Sequence, residues 1–127
     1  MSVARDHTQL DIWKLSDELR SEIYRLVSRQ SMRSAPDLCR QLTRAAESAC
    51  ANIAEGFSRY LPGDMARFFR MARGSHSEII EHLTSAVRRT LLTAPDIQKA
   101  NSFARRARAA TTKLIVYLEH AKAPGRD

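Results

Sequence analysis

The sequence predicts an all-α protein, an antiparallel up-down-up-down four-helix bundle. Apolar residues recur at helical spacing in four segments, no segment of useful length alternates as a β-strand does, and only short breaks separate the segments. Short connections favour antiparallel neighbours. A chain of 127 residues also buries enough apolar surface for one domain without disulfides or metals.

Local end signals place the four helices along the chain. Thr8 with Asp11 suits the start of the first helix, and Pro36 suits the first turn of the second. Asp64 caps the third helix after the turn LPGD, and Thr93 in the segment TAPD caps the fourth. The predicted helices cover residues 8–31, 36–60, 64–92 and 94 to 120 or 121, with a flexible N-terminus at 1–7, the bundle at 8–121 and a frayed tail at 122–127.

Each predicted helix carries one apolar stripe when its residues are spaced by about 100°. These stripes meet in the core of the bundle. The predicted core residues are Ile12, Leu15, Leu19, Ile23 and Leu26; Leu38, Leu42, Ala45, Ala46, Ala49, Ile53, Gly56 and Phe57; Met65, Phe69, Ala72, His76, Ile79, Leu83 and Ala86; and Ala100, Phe103, Ala107, Thr111, Leu114 and Leu118.

The charge of the chain points to a polyanionic partner. The formal net charge is +7, the pI is about 10.1, and 17 of the 21 basic residues are arginine, which binds phosphate bidentately. The fourth helix has no acid between Asp96 and Glu119. The alternative is that the arginines reflect genomic base composition and a solvated surface. The predicted contacts to RNA or DNA are Lys99, Arg105, Arg106 and Lys113, with Arg67 and Arg70 as a second group.

A second set of residues lies off the apolar stripes and predicts self-association. Trp13 and Tyr24 lie about a quarter-turn from the centre of the first stripe. Gly74 falls opposite the third stripe, and Ala51 and Ala54 keep the outer face of the second helix smooth. An exposed mid-helix glycine is a loss unless a backbone or ligand approaches closely. The alternative is a set of incidental surface alanines and a half-buried tryptophan.

The segment NIAEGFSRY, residues 52–60, combines a mid-helix glycine with three polar residues. Gly56 turns inward, so we expect a neighbouring helix to approach it closely. Asn52 lies at the border of the same face, and Glu55 and Arg59 have the spacing of a surface ion pair. This pattern favours a role in packing and assembly over one in catalysis.

No pattern of residues predicts an enzyme, a cofactor or a metal site. The chain has no Glu-x-x-His pair of the kind that di-iron bundles use, although Glu78 and His82 share a helix face. His76 points towards the apolar stripe and is expected to be a satisfied core histidine. Cys39 and Cys50 are separated by about 16 Å on one helix and are expected to be reduced.

The ends and the hydropathy of the chain favour a cytoplasmic protein with no membrane partner. The first residues lack the apolar stretch of a secretory signal. The longest fully apolar run, LIVYL at residues 114–118, is too short to cross a bilayer.

Three motifs resemble a known family. LDIWKLSDEL resembles its opening motif, and QLTRAAESACANIAEGFSR and RFFRMARGSHSEIIEHL resemble its two central signatures. The family is that of the four-helix-bundle proteins encoded in intervening sequences of 23S rRNA, whose distant relatives are the accessory variability determinants of retroelements. The residues that match its signatures are Trp13, Gln41, Arg44, Asn52, Glu55, Gly56, Arg59, Arg67, Gly74, Ser75 and Glu78.

The resemblance implies a bacterial cytosolic four-helix bundle that forms homopentamers and has no catalytic activity. Pro62 and Gly63 stand where many relatives have a charged turn, and the fourth helix is richer in arginine than is usual in the family. The sequence therefore predicts a homo-oligomer that binds RNA or DNA through basic outer faces. The alternative is an oligomeric scaffold that docks an unidentified protein and has no direct nucleic-acid role.

Overall fold

A computed structural model describes residues 4–121, and these form four α-helices with no β-strand. This confirms the predicted all-α class and the number of helices. Residues 1–3 of the predicted N-terminal segment and the whole predicted tail, 122–127, lie outside the described residues. The helices are α1 (Asp11–Val27), α2 (Pro36–Phe57), α3 (Pro62–Arg88) and α4 (Ala94–His120), with short 3-10 helices at His7–Gln9 and Gln30–Met32.

The first helix is shorter than predicted at both ends. Thr8 does not cap it, because the Asp6 carboxylate accepts a hydrogen bond from the Thr8 backbone N–H at 2.8 Å and closes a separate 3-10 turn. α1 begins after Leu10, which makes no side-chain cap. It ends at Val27, since Arg29 is extended and the following 3-10 turn places Met32 in the core.

The third helix begins two residues before the predicted cap. The predicted turn at LPGD is wrong, because Pro62 occupies the first helical position, where its missing N–H costs nothing. Asp64 therefore lies inside the first turn, where its negative charge interacts favourably with the positive end of the helix dipole. α3 ends at Arg88, before the predicted residue 92, and Thr90 follows in a left-handed conformation with φ 57°.

The start of α4 follows the prediction. The Asp96 backbone N–H donates to Thr93 Oγ1 at 3.2 Å, and the Thr93 N–H donates to Asp96 Oδ2 at 2.8 Å, which is a complete capping box. Arg29 Nη1 lies 2.8 Å from Asp96 Oδ1. The backbone hydrogen bond from Thr93, followed by the bond from Arg29, lowers the pKa of Asp96 to about 2.

Most of the predicted core is buried, with corrections at the edges of the stripes. Leu15, Phe57, Met65, Phe103 and Leu114 are only half-buried. Leu15 and Phe103 border the open groove between α1 and α4, so they mark the solvent edge of their stripes. The buried helical residues that the predicted apolar stripes did not include are Ser16, Glu22, Cys50, Ala66, Ile80, Ala104 and Ile115.

Both cysteines are free thiols, as predicted. Cys39 is half-buried and Cys50 is buried, and burial raises the pKa of Cys50 to about 11. Within residues 4–121, no three His, Cys, Asp or Glu side chains are placed to hold a metal ion together. None of the described helices has the length and apolarity that a membrane span requires.

Candidate nucleic-acid interface

Gly56 sets the distance between α2 and α3. A Cβ at this position would lie 2.7 Å from Phe69 Cε1 and 3.1 Å from Phe68 Cβ, closer than side chains pack. The predicted close approach of a neighbouring helix is confirmed, and that helix is α3. Because Phe69 is fully buried, its ring cannot move out into solvent to make room.

The polar residues of the segment 52–60 bind groups on their own helix. Asn52 Nδ2 donates to the Ser48 carbonyl oxygen and to Ser48 Oγ, each at 3.0 Å, and Ser75 of α3 donates to the same Ser48 hydroxyl at 3.3 Å. The predicted ion pair is present, with Arg59 Nη2 3.6 Å from Glu55 Oε2. These contacts stabilise the C-terminal part of α2 and connect α2 to α3.

The opposite side of α3 faces α4 across a shallow, arginine-lined groove. We call it the arginine groove; its volume is about 530 Å³. On α3 the lining residues follow the spacing i, i+3, i+4 and i+7, so they share one face, and the same holds for α4. The residues that line the arginine groove are Arg70, Arg73, Gly74 and Ser77 of α3, and Arg105, Arg108, Ala109 and Thr112 of α4.

The lining of the arginine groove carries positive charge from both helices. None of its eight described lining residues is acidic. Arg108 Nη1 donates to Ser77 Oγ at 3.3 Å, which holds that guanidinium across the groove. At one end Arg70 Nη1 lies 3.1 Å from Glu119 Oε2, and both side chains are about half exposed (43% and 51%). Gly74 is exposed in the lining, and an added Cβ there would meet nothing within 4 Å.

His76 lies on the buried side of α3, next to the arginine groove. Its Nε2 is 2.8 Å from Ser16 Oγ of α1, while its buried Nδ1 has no hydrogen-bond partner among the described residues. Burial, followed by the charge of Arg108, lowers the pKa of His76 to about 4, so its ring is neutral at pH 7. The predicted core position is confirmed, whereas the prediction that this histidine is satisfied holds at only one of its two nitrogens.

The six predicted phosphate contacts do not form one patch. Arg70 and Arg105 line the arginine groove. Lys113 is exposed on α4, outside the arginine groove and outside the groove between α1 and α4. Arg67 lies over the Phe68 ring at 4.6 Å, on the α2 side of α3.

Lys99 and Arg106 line a second groove, which lies between α1 and α4. It has a volume of about 600 Å³ and carries charges of both signs, because α1 contributes carboxylates to it. Arg106 also lies 5.7 Å from the centre of the Phe103 ring. The other residues that line this second groove are Asp11, Lys14, Leu15, Glu18 and Ala110.

Sequence reasoning left Arg73 and Arg108 out of the predicted contacts. Arg108 was visible in the basic run of the fourth helix, but Arg73 carried no signal of its own. The spacing would have found both, since Arg70 and Arg73, like Arg105 and Arg108, are three residues apart and share a helix face.

The predicted assembly residues are spread over several faces. The Trp13 ring is half-buried, with the His7 ring edge-on at 5.4 Å and the Arg20 guanidinium at 5.9 Å. Tyr24 is 42% exposed and donates to Glu47 Oε2 at 2.6 Å.

The remaining assembly residues lie on α2 and α3. Ala54 is half-buried, and Gly74 lies in the arginine groove. Glu78 is exposed, with its Oε2 3.8 Å from His82 Nε2.

A protein-family model described as "23S rRNA-intervening sequence protein" matches residues 8–113. The chain belongs to this family. The family match confirms the resemblance seen in the sequence motifs, and it covers α1 to α3, α4 as far as Lys113, and every residue of the arginine groove. A comparison with curated proteins found no match.

Proposed function

We propose that this family member is a non-catalytic, homo-oligomeric bundle that binds the RNA or DNA backbone through its basic outer faces. The observation that carries the proposal is the arginine groove, where α3 and α4 each contribute two guanidinium groups and no lining residue is acidic. Arginine binds phosphate through paired, charge-assisted hydrogen bonds. An association with nucleic acid also agrees with the family's description.

The proposal includes the up-down-up-down arrangement of the helices. Two contacts between α3 and α4 support it, since Arg70 meets Glu119 while the later residue Ser77 meets the earlier residue Arg108. Moving forward along α3 therefore corresponds to moving backward along α4. This arrangement keeps the basic sides of the two helices next to each other.

The oligomeric part of the proposal, a homopentamer in the cytoplasm, rests on the family resemblance. Half-buried Leu15 and Phe103, together with half-buried Trp13, support an apolar surface that a second copy covers. We expect Ala54→Arg to lower the assembled mass in light scattering while the helix content stays unchanged. An unchanged mass would contradict an interface that includes Ala54.

The proposal includes no reaction. The polar residues of the segment 52–60, which alone resembled an active-site fragment, are engaged in hydrogen bonds that hold α2 and α3. His76 is neutral and fully buried, so no substrate in a groove can contact its ring.

The second candidate function is a scaffold that docks a protein partner. The groove between α1 and α4 favours it, because charges of both signs surround the half-buried Leu15 and Phe103. Mixed charges around apolar residues are typical of protein interfaces. A partner of this kind would survive nuclease treatment during a pull-down, whereas one held through nucleic acid would be lost.

A gel-shift titration tests the proposed function. The probes are a structured RNA and a duplex DNA, each titrated at about 50 mM and about 200 mM salt. We expect binding at the lower salt and a steep loss at the higher, because phosphate contacts release condensed counterions. No binding to either probe at the lower salt would contradict the proposed function.

A further inference from the structure

We propose that the arginine groove is a discrete site for consecutive phosphates of one nucleic-acid strand, rather than part of a diffuse positive surface. This inference rests on the proposed function and assigns it to one location. The four guanidinium groups of Arg70, Arg73, Arg105 and Arg108 come from the two helices that line the groove, and Gly74 lies among them in the lining.

Gly74 points to an occupant outside the bundle. A glycine in a helix interior is less favourable than alanine. At Gly56 a close neighbouring helix accounts for the glycine, whereas a Cβ at Gly74 would meet nothing within 4 Å. No contact inside the monomer therefore requires this glycine. Glycine is the residue that lets a backbone approach a ligand closely, and a strand lying in the groove would use that space.

The length of the arginine groove suits a short run of phosphates. Arg70 to Ser77, and Arg105 to Thr112, each cover seven residue steps, or about 10 Å of helix. One strand in a stacked helical form advances about 3.4 Å per nucleotide, so about three phosphates occupy this length. A guanidinium from α3 and one from α4 can reach such a run from both sides.

The lining of the arginine groove favours the backbone over the bases. It contains no aromatic side chain on which a base could stack and no carboxamide that could read adenine, and we expect its arginines, which can also read guanine, to be engaged by phosphates. The Ser77 hydroxyl, which accepts the hydrogen bond from Arg108, can donate its own proton to a phosphate oxygen. We therefore expect little dependence on base sequence.

Two carboxylates limit the arginine groove along its length. Glu119 pairs with Arg70 at one end. Glu81 is exposed one helical turn beyond Ser77 on the same side of α3. Negative charge beyond each end shortens the region where a phosphate is favourable, which makes this a short site rather than a continuous track.

A second copy of the chain is a less suitable occupant. It would bury four arginines, and burying unpaired charges is strongly unfavourable. The second copy would therefore have to supply carboxylates to the groove, while the chain as a whole has 21 basic and only 14 acidic residues.

The test compares two double variants with the same change in net charge. Arg73→Gln with Arg105→Gln removes one guanidinium from each of the two helices, and neither residue has a salt bridge to a described residue that the change would break. The control, Arg33→Gln with Arg88→Gln, removes two exposed arginines outside the groove. Fluorescence anisotropy measures Kd for a labelled 20-nucleotide single-stranded RNA over a range of salt, and light scattering checks the assembled mass.

We expect the groove variant to bind about 100-fold more weakly, because each charge-assisted contact is worth about tenfold. The slope of the logarithm of affinity against the logarithm of salt concentration should fall in magnitude by about 1.4, because two single-strand phosphate contacts are lost. The control should lose at most about threefold, through its smaller long-range effect. Equal losses in the two variants would overturn the discrete site and leave the proposed function intact, whereas a wild-type protein that binds no RNA would overturn both.

Gly74→Ala provides the second measurement, with Gly63→Ala as its matched control. Both glycines lie in α3 with no atom within 4 Å of an added Cβ, and only Gly74 lies in the groove. We expect Gly74→Ala to weaken RNA binding at least about threefold and Gly63→Ala to leave it unchanged. Unchanged binding in Gly74→Ala would overturn the role of Gly74 in the site. An altered assembled mass would instead make this groove an interface between copies.

Discussion

Two glycines mark different surroundings on the two sides of α3: Gly56 of α2 packs against one side, and Gly74 of α3 faces the arginine groove on the other. On the α2 side, Gly56 lets the helices approach until Phe69 fills the space where a Cβ would be. On the α4 side, Gly74 faces open space between four arginines. Both glycines belong to a family signature, but Gly56 lies inward in the last turn of α2, whereas Gly74 lies outward in the middle of α3. The comparison teaches that a helical glycine can mark either a contact within the bundle or a surface that awaits a ligand.

The largest expected effect is on the pH dependence of stability, and it concerns His76 in the core. Because His76 has a folded pKa of about 4, below its ordinary 6.5, folding favours its neutral form. The stability from this group is complete above pH 6.5 and is lost as the pH falls towards 4, by up to about 3 kcal/mol. The Asp96 carboxylate, with a pKa of about 2, adds its own loss only below its ordinary 3.8.

Chemical denaturation at several pH values checks this expectation. Wild type should lose stability between pH 6.5 and 4, and His76→Gln should lose much less over the same range. If the two curves run parallel, His76 is not the group responsible.

The next effect separates the two glycines directly. Gly56→Ala should lower the free energy of unfolding by about 1–3 kcal/mol, because the added methyl overpacks against Phe69 and Phe68. Urea denaturation measures the change. A stability equal to or above that of wild type would show that α3 can move away at little cost, and the contrast with Gly74 would be lost.

Gly74→Ala should change stability in the opposite direction. With no atom within 4 Å of the new Cβ, the substitution should raise the free energy of unfolding by up to about 1 kcal/mol through helix propensity alone. The same urea titration applies. Destabilisation here would mean that Gly74 is needed for the fold, and its presence would then not point to a ligand.

The smallest effect is at the end of the arginine groove. Glu119→Gln removes the carboxylate that pairs with Arg70, so RNA should bind about two- to fivefold more tightly. Glu18→Gln in the second groove changes the net charge equally and serves as the control for anisotropy. A larger gain from Glu18→Gln would move the interface to the groove between α1 and α4.

Local signals explain how much of the fold the sequence predicted. The capping box of Thr93 and Asp96 involves only neighbouring residues, so the start of α4 was predictable. At LPGD two valid signals competed, a proline for the first turn and an aspartate for a cap, and the proline prevailed. Leu15 and Phe103 were predicted to lie in the core but are half-buried. Helical spacing alone does not show where the contact with a neighbouring helix ends.

The arginine groove was harder to predict than the helices. The sequence identified the basic character of α4 and the unusual position of Gly74, but it assigned them to different surfaces. Which side of α3 meets α4 depends on the packing of the whole bundle, and that packing brings Arg73 opposite the basic side of α4. One sequence contains no direct record of such a contact.

The most direct test of the central claim is NMR of the arginine side chains during a titration with single-stranded RNA. In protein labelled with nitrogen-15 at arginine, the Nε–Hε signals of Arg73, Arg105 and Arg108 should shift first and furthest, while those of Arg33 and Arg88 stay in place. Shifts spread evenly over all arginines, or no shifts at all at low salt, would contradict the claim that this groove binds nucleic acid.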